Sequence, residues 1–516
     1  MAGYADIVIP FINTQTIFVI VLLLALSFYI LKQQKQNLPP GPRSLPLIGS
    51  LPSLAFSLYR TGCEPETLFG IMAKQYGDDV ISFSVGKKVI VILNGCKVIK
   101  EAYQNPHMND RPTSPVLEEL DLDQGVVFAS GKSWKYQRAL TMSAFRNFGV
   151  GRSKFEGNIT EEAKTLIHAM RQYNEKPFHP FILIGNCVAN VICSVIFGQR
   201  YEHSDPDFKH LLHITSENAN KIGSGAFVLF VRILRYIFHG LYKAILTNFL
   251  SFKTFVNGIV AEHRHKFHKN NINDLMDVFL NEIEKSTENT LADDSGCTPP
   301  DTNNRADFIH EKSLMATAVG LFLAGTETSA TVLRWALLYM MTYPEIQAKV
   351  QQELDLVVGR SRMPKWADRL ILPYTEAVLL AIQRIRRVVP LGVPHVAAKD
   401  TKIGDYDVPK GSIIVSNLWA VHNDPNIWTE PDQFRPERFL DEDGKLRHRE
   451  EFIPFSAGHR VCLGENLAKM EIFIFFTYIF HTFTIKNPYN KPYSLKGVSG
   501  VTFSPTDFEI VAEIRD

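Results

Sequence analysis

The chain is 516 residues long and 45% hydrophobic, with 55 lysines and arginines against 54 aspartates and glutamates. That length buries a large core and alone permits roughly two to four domains. A formal charge of +1 sets up no global field, which excludes the strongly basic signature of a nucleic-acid binder and gives no pointer to a charged substrate.

The N-terminal segment is the first departure from a soluble chain. No charged residue occurs from Ile7 to Leu31, and Ile17 to Leu31 is almost wholly apolar, close to the roughly 20 residues a membrane span needs. Asp6 precedes the run, whereas Lys32, Lys35 and Arg43 lie beyond it, so the positive-inside rule puts the remaining chain in the cytosol. Ala25-Leu26-Ser27 loosely matches a signal-peptidase site, but there is no positive n-region and the apolar run continues past it. The expectation is an uncleaved anchor over residues 1–37. Pro39, Pro40 and Pro42 then form a stiff stop that sets the angle of the main domain to the membrane. The cysteines (63, 96, 187, 193, 297, 462) form no C-x-x-C pair; Cys187 and Cys193, in an apolar stretch, read as reduced core residues.

Trp134 and Arg138 are four apart and share a helix face. Lys132, Lys135, Arg146, Arg152 and Lys154 surround them. Lys285 to Arg305 is polar and reads as a surface loop. Between Asn304 and Tyr343 lies a second long apolar helix, Ser313 to Met341. It is either a second membrane span or a core helix, and Glu327 and Arg334 within it favour a protein interior or a cavity. Gly325 and its neighbouring threonines offer a local loosening, because hydroxyls compete for backbone carbonyls.

The most informative run is PFSAGHRVCLGENLAKMEIF, from Pro454 to Phe473. Gly458 and Gly464 bound a loop around Cys462 and permit backbone angles closed to other residues. A helix starting near Leu463 directs its free N–H groups at the sulfur and favours the thiolate. A sulfur ligand of this kind pushes electron density onto a haem iron and favours O–O cleavage.

Phe455, Gly458, Arg460, Cys462 and Gly464 match the haem-binding signature of the cytochrome P-450 family, which the chain resembles from about residue 38 to 510. Trp134–Arg138, the AGTETS run at Ala324–Ser329, FRPERF at Phe434–Phe439 and the Pro-rich Leu38–Pro42 match the family in order. PYTEAVLL, VVPLGVPH, VPKGS and NLWAVHNDP make the likeness one to microsomal family-2-type enzymes. The resemblance implies a mostly α domain with a small β-rich lobe, residues 38–516, behind an N-terminal transmembrane helix. It implies haem b on Cys462, with Trp134, Arg138, Arg111, His395 and Arg460 as propionate donors. Gly325, Glu327 and Thr328 would form the oxygen-activating element, Thr328 holding the proton chain and Glu327 feeding it through water.

The implied activity is a monooxygenase at the endoplasmic reticulum membrane, acting on lipophilic molecules lodged among 117–128, 218–237, 388–393 and 498–501. Electrons would come from an NADPH-dependent flavoprotein reductase, with cytochrome b5 as a further donor, docking on the basic face that Lys469 extends. No nucleic-acid partner is expected. Related haem-thiolate isomerases and dehydratases need no proton relay, so the Glu327–Thr328 pair disfavours that alternative.

One position breaks the pattern. Where the family has Glu-x-x-Arg, this chain has Ala381 before Arg384. Arg384 and Arg438 then lose the carboxylate between them, and an unpartnered buried charge costs about 3–5 kcal/mol. Either the change impairs catalysis and leaves a haem-binding protein, or Glu437 or Glu376 substitutes, or a looser haem pocket is tolerated.

Overall fold

In the computed structural model the residues described are 20–21, 37–45, 47–230, 236, 238–293, 308–489 and 491–515. The expected anchor over 1–37 lies outside them except for Ile20 and Val21, which are helical and exposed, and Asn37.

The Pro-rich segment is pinned to the body of the protein. Ser82 donates its hydroxyl to Pro39 O at 2.6 Å and its N–H to Pro40 O at 2.8 Å. A Cβ on Gly41 would fall 1.7 Å from Ser82 O, so only glycine allows the approach. Ser82 belongs to a hairpin of Val80–Val85 and Lys88–Leu93, paired Val85↔Lys88 and Ile81↔Ile92. Its tight turn uses Gly86 at φ 59°, the left-handed geometry that two-residue hairpins favour. Ile413–Ser416 joins parallel to Lys88–Leu93, and His395–Val396 closes the four-stranded sheet antiparallel. Three further two-stranded pairs complete the β component. This is the small β-rich lobe.

The remaining mass is helical, arranged about the Glu311–Thr342 helix, most of whose side chains are buried. His310 and Ser313 cap its start reciprocally: His310 Nδ1 accepts from Ser313 N–H, and Ser313 Oγ accepts from His310 N–H. Phe181–Ile196, Glu465–Thr482 and His239–Lys266 pack against it. Its apolar length therefore serves the core rather than a second span: 72% of its most apolar window is buried inside the protein. Gln347 and Gln351, on the next helix, donate to Ile485 O and Phe483 O and tie that core to a β-pair.

One segment differs from expectation. Residues 285–293 continue the Leu275–Asp293 helix instead of forming a loop. Met276, Phe279 and Leu280 are buried earlier in that helix and anchor it; residues 294–307 lie outside the described chain.

Candidate active site

The Cys462 loop is shaped by two residues in the left-handed region, Ser456 at φ 66° and Gly458 at φ 73°. A Cβ at 458 would also meet Tyr103 O at 2.2 Å, so glycine is required there twice over. Cys462 N–H donates to Phe455 O at 3.1 Å and closes the loop. Gly464 departs from expectation. Its φ of −90° suits any residue, and no protein atom lies within 4 Å of its would-be Cβ. Its small size leaves open space beside the sulfur. The helix proper begins at Glu465, with Gly464 as its N-cap.

Cys462 is exposed, unlike Cys187 and Cys193, yet protein surrounds it closely enough for burial to dominate its acidity. Burial pushes the thiol up; the Gly464 N–H opposes this, Glu465 adds to it and Arg138 opposes it. The N–H at the helix start favours the thiolate, as expected, but burial outweighs it. A bound iron would supply the rest, because a metal-coordinating thiol gives up its proton outright.

Around this loop the structure gathers cations. Arg138 donates to Val461 O at 2.6 Å, next to Cys462. Arg460 donates to Asn109 O and Ala129 O and lies 3.9 Å over the Trp134 ring. Burial, then Arg111, pushes Arg460 down to about 8, with Asp110 opposing and Arg138 adding to the fall. Burial likewise takes Arg111 down to about 10. Trp134 Nε1 is buried and has no hydrogen-bond partner among the described residues. Guanidinium groups met chiefly by carbonyls, beside an orphaned indole N–H, call for anionic acceptors. The two propionates of haem b fit that demand.

Two expected donors behave differently. Arg111 directs its guanidinium to Val393 O and Pro394 O, both at 2.8 Å, and to Val127 O at 3.3 Å. It therefore fastens two walls of the site together. His395 stacks on Tyr103 at 3.9 Å, and its Nδ1 lies 2.7 Å from Met108 O. Burial, then Arg111, lowers its pKa to about 2, so the ring is neutral with its one proton on Nδ1. With Nδ1 committed to Met108 O, Nε2 is the nitrogen left to meet a propionate, which it would do as a donor in the imidazolium form.

The burial of the Glu311–Thr342 helix is broken on one side. Ala324 is exposed, and Leu321, Leu323, Gly325 and Thr328 are half-buried, in a helix otherwise mostly inside. Thr328 donates its hydroxyl to Ala324 O at 2.7 Å, the back-bond that loosens a helix. Gly325 allows close packing, since a Cβ there would meet Ile192 Cδ1 at 2.4 Å. Glu327 is not kept within reach of solvent as expected. It is buried and accepts from Thr331 Oγ1 and Arg334 Nη1, each at 3.2 Å. That places it in a buried ion pair.

Sequence reasoning passed over Glu471, a fully buried carboxyl nine residues beyond Cys462. Burial pushes it up to about 8, opposed by a hydrogen bond with Ser329, the neighbour of Thr328. It is a neutral acid at pH 7, and it joins the helix after Cys462 to the one carrying Thr328. The only signal in the sequence was a charge inside the aromatic run MEIFIFF.

Arg384 is 1% exposed and lies one helical turn past Ala381, itself buried. Its Nη1 donates to His422 O at 2.8 Å, and its Nη2 to Pro431 O at 2.7 Å and Gln433 O at 3.4 Å, while Nε is left without a partner among the described residues. Arg438 turns to Thr429 O and Glu430 O. Neither suggested acid substitutes: Glu437 lies against Lys349 at 3.5 Å, and Glu376 feels Arg369 and Lys469. Backbone carbonyls accept the hydrogen bonds of Arg384 without supplying the charge of the missing carboxylate. Burial, then Arg438, still lowers Arg384 to about 10.

A tight glycine loop presenting Cys462, a cationic rim beside it and a long buried helix carrying Thr328 within a mostly helical fold define a haem-thiolate site. The sequence profile described as Cytochrome P450 matches residues 39–511, and the chain belongs to that family. It is 37% identical to cytochrome P450 2J2 of Homo sapiens over 95% of this chain and 94% of that protein. It is 38% identical to cytochrome P450 2J5 of Mus musculus (92% and 91% covered) and 35% identical to cytochrome P450 2U1 of Homo sapiens (94% and 91%). The protein is a haem-thiolate monooxygenase, with haem b as its cofactor.

Proposed function

We propose that the protein oxidises lipophilic small molecules at the endoplasmic reticulum membrane, by hydroxylation or epoxidation, using O₂ and electrons relayed from NADPH by a flavoprotein reductase. The observation that carries this reading is the conjunction of the glycine-bounded Cys462 loop with a cationic rim of Arg138, Arg460 and the Trp134 indole suited to two carboxylates. When bound, haem b supplies the iron at which dioxygen is activated. Cys462 Sγ holds that iron, while Arg138, Arg460 and the Trp134 indole hold the propionates. Thr328 Oγ1, once released from Ala324 O, holds a proton at the cavity wall. Glu327 is tied up in an ion pair with Arg334 of the same helix, which lies over the Phe181 ring.

Half-buried Val127, Phe128, Val388, Val389 and Leu391 offer an apolar lining that excludes water and orients by shape. Most of the side chains over 218–237 lie outside the described ones. Leu47 is 87% exposed and Tyr59 89%, with Phe56 between them in sequence. Apolar side chains displayed this close to the N-terminal segment suit contact with lipid. Lys132, Lys135, Arg146, Arg152 and Lys154 are all exposed, and Lys135 borders a cleft of about 450 Å³ shared with Trp134 and Arg138. That face suits an acidic reductase, with cytochrome b5 as a second donor. The test is reconstitution with reductase in vesicles and a panel of lipophilic substrates. Product should require NADPH, reductase and O₂ together. Isomerisation or dehydration of lipid peroxides with no NADPH-dependent product from any substrate would contradict the proposal.

A further inference from the structure

Three elements outside the haem site bring one set of donor atoms together. Glu162 comes from the Glu156–Arg171 helix, Cys187 from the Phe181–Ile196 helix and His203 from the loop after it. Their ligand atoms all lie within 4.8 Å of one another. His203 Nε2 is 3.9 Å from Cys187 Sγ and 3.7 Å from Glu162 Oε2. Tetrahedral zinc, with bonds of about 2.0–2.3 Å, holds its ligand atoms roughly 3.3–3.6 Å apart, so both His203 separations need to contract only slightly to seat the ion.

A second observation points to a ligand. Glu162 is only 3% exposed, and its two oxygens are treated unequally. Arg200 Nε bonds Oε1, whereas Oε2 is buried without any hydrogen bond among the described residues and faces Cys187 and His203. A buried carboxylate oxygen with no donor is expensive, and a cation resolves it while leaving Arg200 in place. Without a metal, burial and then the Glu162 charge keep Cys187 as a thiol. A divalent ion reverses that preference by taking the proton's place on sulfur.

The other comparable cluster, His263, Asp274 and Asp277, is already engaged. Asp274 bonds His263 and the Asp277 N–H, and Asp277 accepts from the Asn273 N–H, which makes these two aspartates the cap of the Leu275–Asp293 helix.

We propose that Glu162 Oε2, Cys187 Sγ and His203 Nε2 form a zinc site whose fourth ligand is water, entering past His203, whose side chain is 23% exposed. Thiolate, imidazole and carboxylate together select a borderline metal over Mg²⁺ or Ca²⁺. The ion clamps the loop after Ile196 onto two helices.

The test uses full-length holoprotein, stripped with a chelator and dialysed against micromolar free Zn²⁺, with zinc per haem measured by mass spectrometry. The wild type should retain one zinc per haem, with a sulfur scatterer in its zinc-edge X-ray absorption. Cys187→Ser and His203→Ala should each weaken retention by at least about tenfold. Because His203 is partly exposed, its variant remains informative even if Cys187→Ser fails to fold. Absence of retained zinc in the wild type, or unchanged retention in His203→Ala, overturns the proposal.

Discussion

Glu471 illustrates how one side chain carries a consequence for the whole protein. Its pKa rises from 4.5 to about 8, so the folded state binds its proton more tightly than the unfolded chain does. The stabilisation from that proton is complete below about pH 4.5 and is lost as pH rises through about 8. Glu471→Gln keeps a neutral, hydrogen-bonding group and should flatten the fall in thermal midpoint between roughly pH 5 and 8. Parallel curves for variant and wild type would mean that the carboxyl is ionised. The Trp134 indole supports a second prediction. Trp134→Phe removes one hydrogen bond to a charged acceptor, worth about 1.5–3 kcal/mol, and should speed haem transfer to a scavenging protein by about tenfold or more. An unchanged rate would show that the indole does not reach a propionate.

At the scale of elements, the Cys462 loop and the long apolar helix were legible because their chemistry is local. A glycine held at φ 73° and a helix with a charge pair in its middle both leave marks in the residue order. What the sequence concealed was tertiary. Glu327 reads as a solvent-fed acid until Arg334, seven residues on, is seen on the same buried face. Glu471 reads as an isolated charge until Ser329 of another helix meets it. The carbonyls that receive Arg384 come from His422, Pro431 and Gln433, which no helical spacing relates to it.

The Pro373–Ile385 helix carries the third prediction. Its first turn is held by Glu353, which accepts from the Tyr374 and Thr375 N–H groups, so the helix start does not depend on Ala381. Ala381→Glu should therefore leave the fold intact and recover part of the about 3–5 kcal/mol that an unpaired buried guanidinium costs. Thermal midpoint and bound haem per chain should both rise. No gain in either would mean that the three carbonyls already suffice, or that neighbouring side chains have closed over the space.

Across the whole molecule, a charge near zero conceals strong local asymmetry. Lys132, Lys135, Arg146, Arg152 and Lys154 are exposed on one stretch, and Lys469, expected to extend that face, is already paired with Glu465 at 2.6 Å. Reversing two of the exposed charges, in Lys135→Glu with Arg146→Glu, should raise the reductase concentration needed for half-maximal turnover and reduce its salt dependence. Peroxide-driven turnover, which bypasses the reductase, should be unaffected. Equal loss in both assays would place the damage inside the site.

Oxygen chemistry in this protein depends above all on the sulfur of residue 462 and what it grips. The reduced carbon monoxide spectrum of full-length protein, recorded beside Cys462→Ser, tests this directly. Wild-type protein should show the Soret band of thiolate-ligated haem, and the variant should lose it. A wild-type band at the position of nitrogen-ligated or protonated-sulfur haem, or no bound porphyrin despite excess supply, would contradict a haem-thiolate site.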